Sequence, residues 1–313
     1  MKNFVHAIWN SWDRFFFGPI SFLPVGVFRF VFGLNLLIMY SLRIKDWRFF
    51  FTDEGFISAE NAMKIVPEFY EPLFTWYPTT PALSLGLHVV FLVTILLLML
   101  GLWGRWMACL TLILHLAFMQ RNFSIIYGAD LVSTFFLFGL AFTENDRRFS
   151  LRSYFAKGQP REIKPVSHIF STVGVRLIQI QLCVIYGFTG LEKLKGNSWW
   201  EGTAVWAVLG NQQIMLFDTS WLKSVPLLIA AMTYSTLIFE IYFPVLVWLK
   251  VAKRWTLLFG ALLHTMIAVT VGLFFFSLAM VSTYLIFLDP AWLRAKLSRF
   301  VPDAFIGNEA SSR

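Results

Sequence analysis

The sequence predicts an all-α integral membrane protein of about eight transmembrane helices, with an interfacial helix at each end. Three observations predict it: a composition poor in charge, a succession of apolar runs about as long as a bilayer is thick, and basic residues gathered on one side of those runs. Of 313 residues, 58% are hydrophobic and 14% charged, against roughly 25% charged in soluble domains. Water is therefore not the main solvent. The 35 Phe and 13 Trp suit lipid-facing surface and the headgroup level, where Trp collects. A net charge of +8 could suggest nucleic acid. Here the Lys and Arg lie in short connections between apolar runs, which the positive-inside rule explains better, so no nucleic-acid partner is expected.

Runs near the ~20 residues that cross a hydrocarbon core occupy 23–42, 83–102, 124–142, 169–190 and 226–249. The run 106–119 is shorter and crosses only with a thinner membrane or borrowed flanking residues. The stretch 255–288 is too long for one crossing, and Val271-Gly272 near its middle suits a tight turn between two shorter helices. That makes eight. With the N-terminus inside, 16 of the 26 Lys and Arg fall on the cytoplasmic side and 8 on the other, Arg29 and Arg176 lying within spans. Seven helices would move the basic C-terminus outside, so the expected placement is a bacterial inner membrane with both termini cytoplasmic.

The chain divides into a cytoplasmic interfacial helix (1–20), a transmembrane domain (21–290) and a basic amphipathic tail (291–313). Phe4, Val5, Ile8, Trp9, Trp12, Phe15 and Phe16 share one helical face at the start; Trp292, Leu293, Leu297, Phe300 and Val301 do so near the end. The small, polar 307–313 segment reads as disordered. No cleavable signal peptide is visible in the first twenty residues. Cys109 and Cys183 both lie inside apolar runs and read as small membrane-helix residues rather than a disulfide. His88, His115 and His264 stand on different runs without a carboxylate or thiol at ligand spacing, so no metal site is expected.

Ionisable groups within spans are costly unless they face protein or a wet cavity, which makes them functional candidates. Tyr127, Asp130, Ser133 and Thr134 recur at helical spacing in one run. In another, Arg176, Gln179, Cys183, Tyr186, Gly190 and Lys193 stay within an arc of roughly 100° at 3.6 residues per turn, and Gly187 and Gly190 permit close helix approach. Glu240 lies just before Pro244, His264 in the seventh span and Arg29 in the first. These groups either pair as structural ion pairs, such as Arg176 with Asp130 or Arg29 with Glu240, or line a polar internal cavity. Their number favours the cavity. Lys193, at the outer end of its span, reads either as a snorkelling anchor or as an amine that partial desolvation turns toward the neutral, proton-accepting form. The segment 197–217, apolar but interrupted by Gly210-Asn211-Gln212-Gln213, is expected to lie at the interface or re-enter and to roof the cavity.

Asp46-Trp47 followed by Phe51-Thr52-Asp53-Glu54-Gly55, Arg121-Asn122 before Gly128-Ala129-Asp130, Tyr186 with Gly190-Leu191-Glu192-Lys193-Leu194, Trp200-Glu201-Gly202, Glu240 with Pro244, Arg254 and His264 occur in that order. In this the chain resembles the horizontally transferred transmembrane (HTTM) domain family, which includes the membrane core of vitamin K-dependent gamma-glutamyl carboxylase. The resemblance runs from about Arg29 to Trp292. In the carboxylase, the second lysine of a Gly-hydrophobic-Lys-Lys-Leu run is the base that deprotonates vitamin K hydroquinone. That position is Lys193 here, and Glu192 replaces the first lysine. Where the carboxylase has a histidine in an Asn-His-Ser run, this chain has Phe123, and the short tail after the last span leaves no counterpart of its lumenal domain.

The resemblance thus implies a membrane enzyme using a lipid-soluble quinol, such as vitamin K hydroquinone, with Lys193, Asp130 and His264 as catalytic candidates and Tyr127, Arg176, Tyr186 and Glu240 holding the cofactor. Two alternatives stay open. One is a non-catalytic maturation factor for a secreted peptide or protein. The other is a transporter with Asp130, Glu240 and His264 as a proton relay. Beyond the lipid bilayer, the partner would be a secreted peptide or protein substrate.

Overall fold

A computed structural model of the chain describes residues 2–65, 77–78, 80–157, 165–211 and 213–306, and among these it contains helices and turns but no strand. The tail 307–313, expected to be disordered, lies outside the described residues. The main helices are α1 (Lys2–Phe17), α2 (Phe22–Arg43), α3 (Pro81–Leu100), α4 (Gly104–Arg121), α5 (Gly128–Phe142), α6 (Pro165–Lys193), α7 (Pro226–Leu246), α8 (Lys250–Val271), α9 (Phe274–Thr283) and α10 (Pro290–Leu297). The chain forms two compact units, one of residues 1–178 with 288–313 and one of residues 179–287, so α6 contributes to both.

Of these helices, α3, α6, α7 and α8, together with α2 and its short continuation to Phe51, are long and apolar enough to cross a membrane. The stretch Phe274–Phe287 and α10 pass the same test only together, and they meet at a bend of 111°. Among the described residues, length and composition thus support five crossings, or six with the bent pair, rather than the eight expected. The shortfall has two sources. Arg105, His115, Gln120 and Arg121 make α4 too polar, and α5 has only 15 residues. The expected run 124–142 loses its first turn because the Asn122 side chain accepts from Ser124 N at 3.2 Å and Ser124 Oγ at 2.6 Å. The chain there forms a tight turn at Phe123–Ile125. Helix α5 begins only where Asp130 Oδ2 reaches back to accept the Tyr127 N–H at 3.3 Å, an N3-to-N-cap bond. The break expected near 271 is present: Gly272 ends α8 at φ +77°, a left-handed cap that favours glycine.

In the first unit the interior is aromatic. Phe28, Phe32 and Phe136 meet at centroid distances of 5.4–6.1 Å, and Phe91 stacks on Phe118 at 5.0 Å. Outward, Leu83, Val89, Val93, Phe135 and Phe138 are exposed, the surface of a protein whose solvent is lipid. The amphipathic α1 likewise exposes Phe4, Ile8, Trp9 and Trp12. Its C-terminal carbonyls are held by α6, where Arg176 Nε donates to Phe15 O at 2.8 Å and Thr172 Oγ1 to Gly18 O at 2.8 Å. The short helix Asp303–Ile306 packs against residues 149–155 through Phe149 N to Phe305 O at 2.7 Å and Ser153 Oγ to Ala304 O at 3.0 Å. In the connection after α5, burial disfavours the Glu144 charge, but the Ser167 hydroxyl and Arg147 outweigh it and hold the carboxyl below its ordinary range.

Candidate functional site

The second unit carries the site. On α6, Tyr186, Thr189 and Lys193 follow one another at three and four residues and so share a face. The glycines beside them let α7 come close. A Cβ at Gly190 would sit 2.9 Å from Ile241 N and 3.1 Å from Glu240 C, and one at Gly187 would sit 3.1 Å from Pro244 Cγ. Pro244 has no N–H, so the Glu240 carbonyl four residues earlier lacks its helical donor at the turn where α6 packs. This approach brings Glu240 to Lys193: Nζ donates to Glu240 Oε2 at 2.6 Å, and Thr189 Oγ1 donates to the same oxygen at 3.1 Å. The ammonium also lies 5.4 Å from the Trp199 ring centroid. Glu192 faces elsewhere and accepts from Lys195 at 2.6 Å, as the helical spacing of adjacent residues requires.

About two and four turns before Lys193 on α6 stand two further polar groups. The Tyr186 hydroxyl lies 2.7 Å from His264 Nε2 on α8 and 2.5 Å from the Tyr284 hydroxyl after α9, and Gln179 Nε2 donates to Ile286 O at 2.9 Å. The Tyr284 hydroxyl fits because residue 260 is glycine: a Cβ there would fall 2.3 Å from that oxygen and 2.8 Å from Phe239 Cζ. Gly260→Ala is therefore expected to cost about 1–3 kcal/mol through overpacking, read as a lower melting temperature in detergent. Gly86→Ala, whose Cβ meets nothing within 4 Å, should leave it unchanged or raise it.

Between these groups lies a cavity of about 520 Å³, lined by Tyr186, Thr189, Lys193, Glu240 and His264 and otherwise mostly by apolar side chains of α6 to α9. Trp199, Ala204, Val205, Val208 and Leu209 also line it, so the segment expected as a roof contributes a wall. That segment is tied down by Tyr234 Oη to Trp200 O at 2.8 Å, Val205 N to Thr233 Oγ1 at 3.2 Å and Leu216 N to Thr270 O at 3.0 Å. Leu262 and Met266 line the cavity and are also exposed on α8.

The seven residues singled out from the sequence fall into three groups. Lys193, Glu240, Tyr186 and His264 meet around the cavity. Asp130 and Tyr127 belong to the first unit, where Arg43 grips Asp130 with both guanidinium nitrogens at 2.8 and 2.9 Å and Asp130 is fully buried. His115 joins them through Asp130 O at 3.0 Å and the Tyr40 hydroxyl at 2.8 Å. Arg176 caps α1, and its guanidinium lies 4.3 Å from the Phe15 ring centroid. The ion pairs weighed as the alternative to a cavity give way to others: Asp130 takes Arg43, Glu240 takes Lys193, and Arg29 donates to Phe149 O. Arg43 and Tyr284 were missed. Arg43 counted as a loop charge, although it ends α2 one turn after Tyr40. Tyr284 was one hydroxyl in a long apolar run, where a buried tyrosine's need for a partner was the available signal.

The sequence matches the HTTM domain over residues 17–292, nearly the whole chain. The chain belongs to the HTTM family. No curated protein and no solved structure matches it. Family membership and the apolar helices together make it an integral membrane protein. In this HTTM chain the motif residues Asp53 and Arg121 meet at 3.1 Å, Arg121 also donates to Ile57 O at 3.0 Å, and Asn122 Nδ2 donates to Phe50 O at 3.0 Å. These motif residues hold the first loop in place.

Proposed function

We propose that this HTTM protein is a membrane enzyme that holds a lipid-soluble quinol in the cavity of its second unit, with the Lys193–Glu240 pair as the proton acceptor. The observation that carries this reading is a charged pair at 2.6 Å in the wall of an otherwise largely apolar cavity. A cavity of about 520 Å³ lies within the ~300–1,000 Å³ usual for small-ligand sites, and apolar walls with few polar groups suit a ring compound with oxygen substituents. Bound there, a quinol would supply an acidic hydroxyl.

The pair is net neutral, so it adds no uncompensated charge to the cavity. Moving the proton along the Lys193–Glu240 hydrogen bond gives a neutral amine and a carboxylic acid without changing that net charge. A proton then taken from the ligand leaves Lys193 as an ammonium beside the new anion, while Thr189 holds the Glu240 carboxyl in position. Purified protein extracted for mass spectrometry should yield a quinone near one per chain. Extraction of a small peptide in its place would favour the second reading, a maturation factor for a secreted peptide. The observation on its side is a separate cleft of about 390 Å³ with Trp206, Gly210, Asp218 and Lys223 in its wall.

We further propose eight crossings in a bacterial-type inner membrane with both termini cytoplasmic, α4, α5 and the α9 stretch being short crossings. The 16-to-8 basic asymmetry supports this. Single cysteines at the exposed positions Glu201 and Arg152, in a background lacking Cys109 and Cys183, should react with an impermeant reagent on intact cells at 201 only. Labelling at 152 and not at 201 would invert the topology.

A further inference from the structure

The short helix Ala204–Leu209 serves two hollows of the second unit: Val205, Val208 and Leu209 line the cavity, and Trp206 lines the polar cleft of about 390 Å³. Trp206 and Met215 in the wall of that cleft pack against a small core of Leu209, Leu222 and Ile229. Its backbone is fixed as well. The Thr219 hydroxyl donates to Leu209 O, and Leu216 N donates to Thr270 O at 3.0 Å. Two side chains of opposite charge face the space, Asp218 and Lys223. Asp218 Oδ1 accepts from Ser220 N at 2.8 Å. That bond and the Ser220 hydroxyl, with a smaller contribution from Lys223, hold the carboxyl below its ordinary range, so it is an anion at neutral pH. Lys223 Nζ lies 5.8 Å from the Trp206 ring centroid. Among the described residues neither charge forms a salt bridge, with the other or with a third group. The cleft also has a level. Helix α7 begins at Pro226, just after Lys223, and α8 ends at Val271, next to the residue that Leu216 holds. Two helices long enough to cross a membrane thus end there, which puts the cleft at the bilayer boundary. Leu216, Phe217 and Trp221 are exposed beside the charges, the mixture that suits the headgroup layer.

We propose that this cleft holds the headgroup of a phosphatidylethanolamine-type lipid, with Lys223 on the phosphate and Asp218 on the primary ammonium. Opposite charges that stay apart fit a ligand that carries both. An anionic headgroup satisfies Lys223 and leaves Asp218 facing a like charge. A choline headgroup has both charges, but its methylated nitrogen offers no N–H to a carboxylate, and the aromatic face that would hold a quaternary ammonium already carries Lys223. A primary ammonium donates a charge-assisted hydrogen bond to Asp218. A peptide end brings an ammonium beside a neutral amide and leaves Lys223 without an anion. Acyl chains, which a soluble zwitterion lacks, cover Leu216, Phe217 and Trp221. The proposal is independent of the quinol reading and gives the cleft an occupant other than a secreted peptide. Bound there, the lipid packs on Trp206 and braces the helix that also walls the cavity.

The test is native mass spectrometry of the full chain, delipidated in detergent and then offered dioleoyl phosphatidylethanolamine, phosphatidylcholine and phosphatidylglycerol in equal amounts. Wild type should retain the ethanolamine lipid about three- to fivefold more than either of the others, the scale of an exposed ion pair. Asp218→Asn should bring the ethanolamine lipid down to the choline level and raise the glycerol lipid. Asp218→Lys should make the glycerol lipid the preferred one, an inversion that a merely structural carboxylate would not produce. Lys223→Gln should lower all three, since each carries a phosphate. Both side chains are exposed, so these variants should fold. Equal retention of the three lipids by wild type would mean annular lipid only and overturn the proposal, as would an undiminished ethanolamine preference in Asp218→Asn. Glycerophosphoethanolamine, the headgroup without acyl chains, should displace the lipid only in large excess. Displacement at equal concentration would assign the cleft to a soluble ligand, and a co-purifying peptide lost in Asp218→Asn with lipid ratios unchanged would assign it to a peptide; either result overturns the lipid.

Discussion

Lys193→Arg should abolish function while leaving membrane abundance and melting temperature near wild type. Arginine keeps the positive charge, and its planar fork can engage the Glu240 carboxylate, so the contact between α6 and α7 survives. It cannot supply a neutral nitrogen, because its pKa stays above about 12. A lost general base typically costs about 10²–10⁴-fold in rate, which a strain with a gene-loss phenotype reads as failed complementation. Lys193→Met makes the complementary case. It leaves Glu240 in the cavity wall with the Thr189 hydroxyl as its remaining partner among the described residues, and breaking a partly buried pair from one side costs up to about 3 kcal/mol. That variant should lose abundance as well as function. Full complementation by Lys193→Arg at normal abundance would remove Lys193 from the chemistry and put the maturation-factor reading ahead.

Asp130→Leu should have the largest effect on folding. The carboxylate is fully buried and takes both nitrogens of the Arg43 fork, so its removal leaves a guanidinium facing an apolar side chain, again at about 3–5 kcal/mol. Asp130→Asn keeps one acceptor and the N-cap bond to Tyr127, and should lose markedly less. Replacing Asp130 and Arg43 together by Leu should recover part of the loss, because the uncompensated charge leaves with its partner. Folded yield after size-exclusion chromatography and the melting temperature measure all three. Equal tolerance of Leu and Asn would mean that the carboxylate contributes nothing to the fold.

Much of this architecture is written in local patterns. The spans of α2, α3, α6 and α7 follow from apolar run length, the break at Gly272 from a glycine in an over-long run, and the α6–α7 approach from Gly187 and Gly190 on the face that carries Lys193. The pairings were not legible, because partners in a bundle are set by which helices adjoin, and one sequence does not encode that directly. The sequence offered Arg29 as a cation for Glu240, and the close approach of Ile241 to Gly190 brings Lys193 there instead. Arg176 lies on the polar face of α6 yet serves the end of α1, a role invisible without knowing that α1 stops beside it. Asn122 shows the same limit at short range: its side chain competes with the helix for Ser124 N and removes a turn from the run that hydropathy alone assigns to α5.

The Lys193–Glu240 contact has a further meaning during synthesis. The two residues are 47 positions apart, and at about 5–20 residues per second the lysine emerges roughly 2–10 s before its partner exists. For that interval Lys193 lacks the Glu240 carboxylate, and its long stem lets the charge wait at the bilayer surface. Arrival of α7 draws it in. A chain truncated before Glu240 would keep that cation at the membrane boundary, the α6–α7 contact unmade.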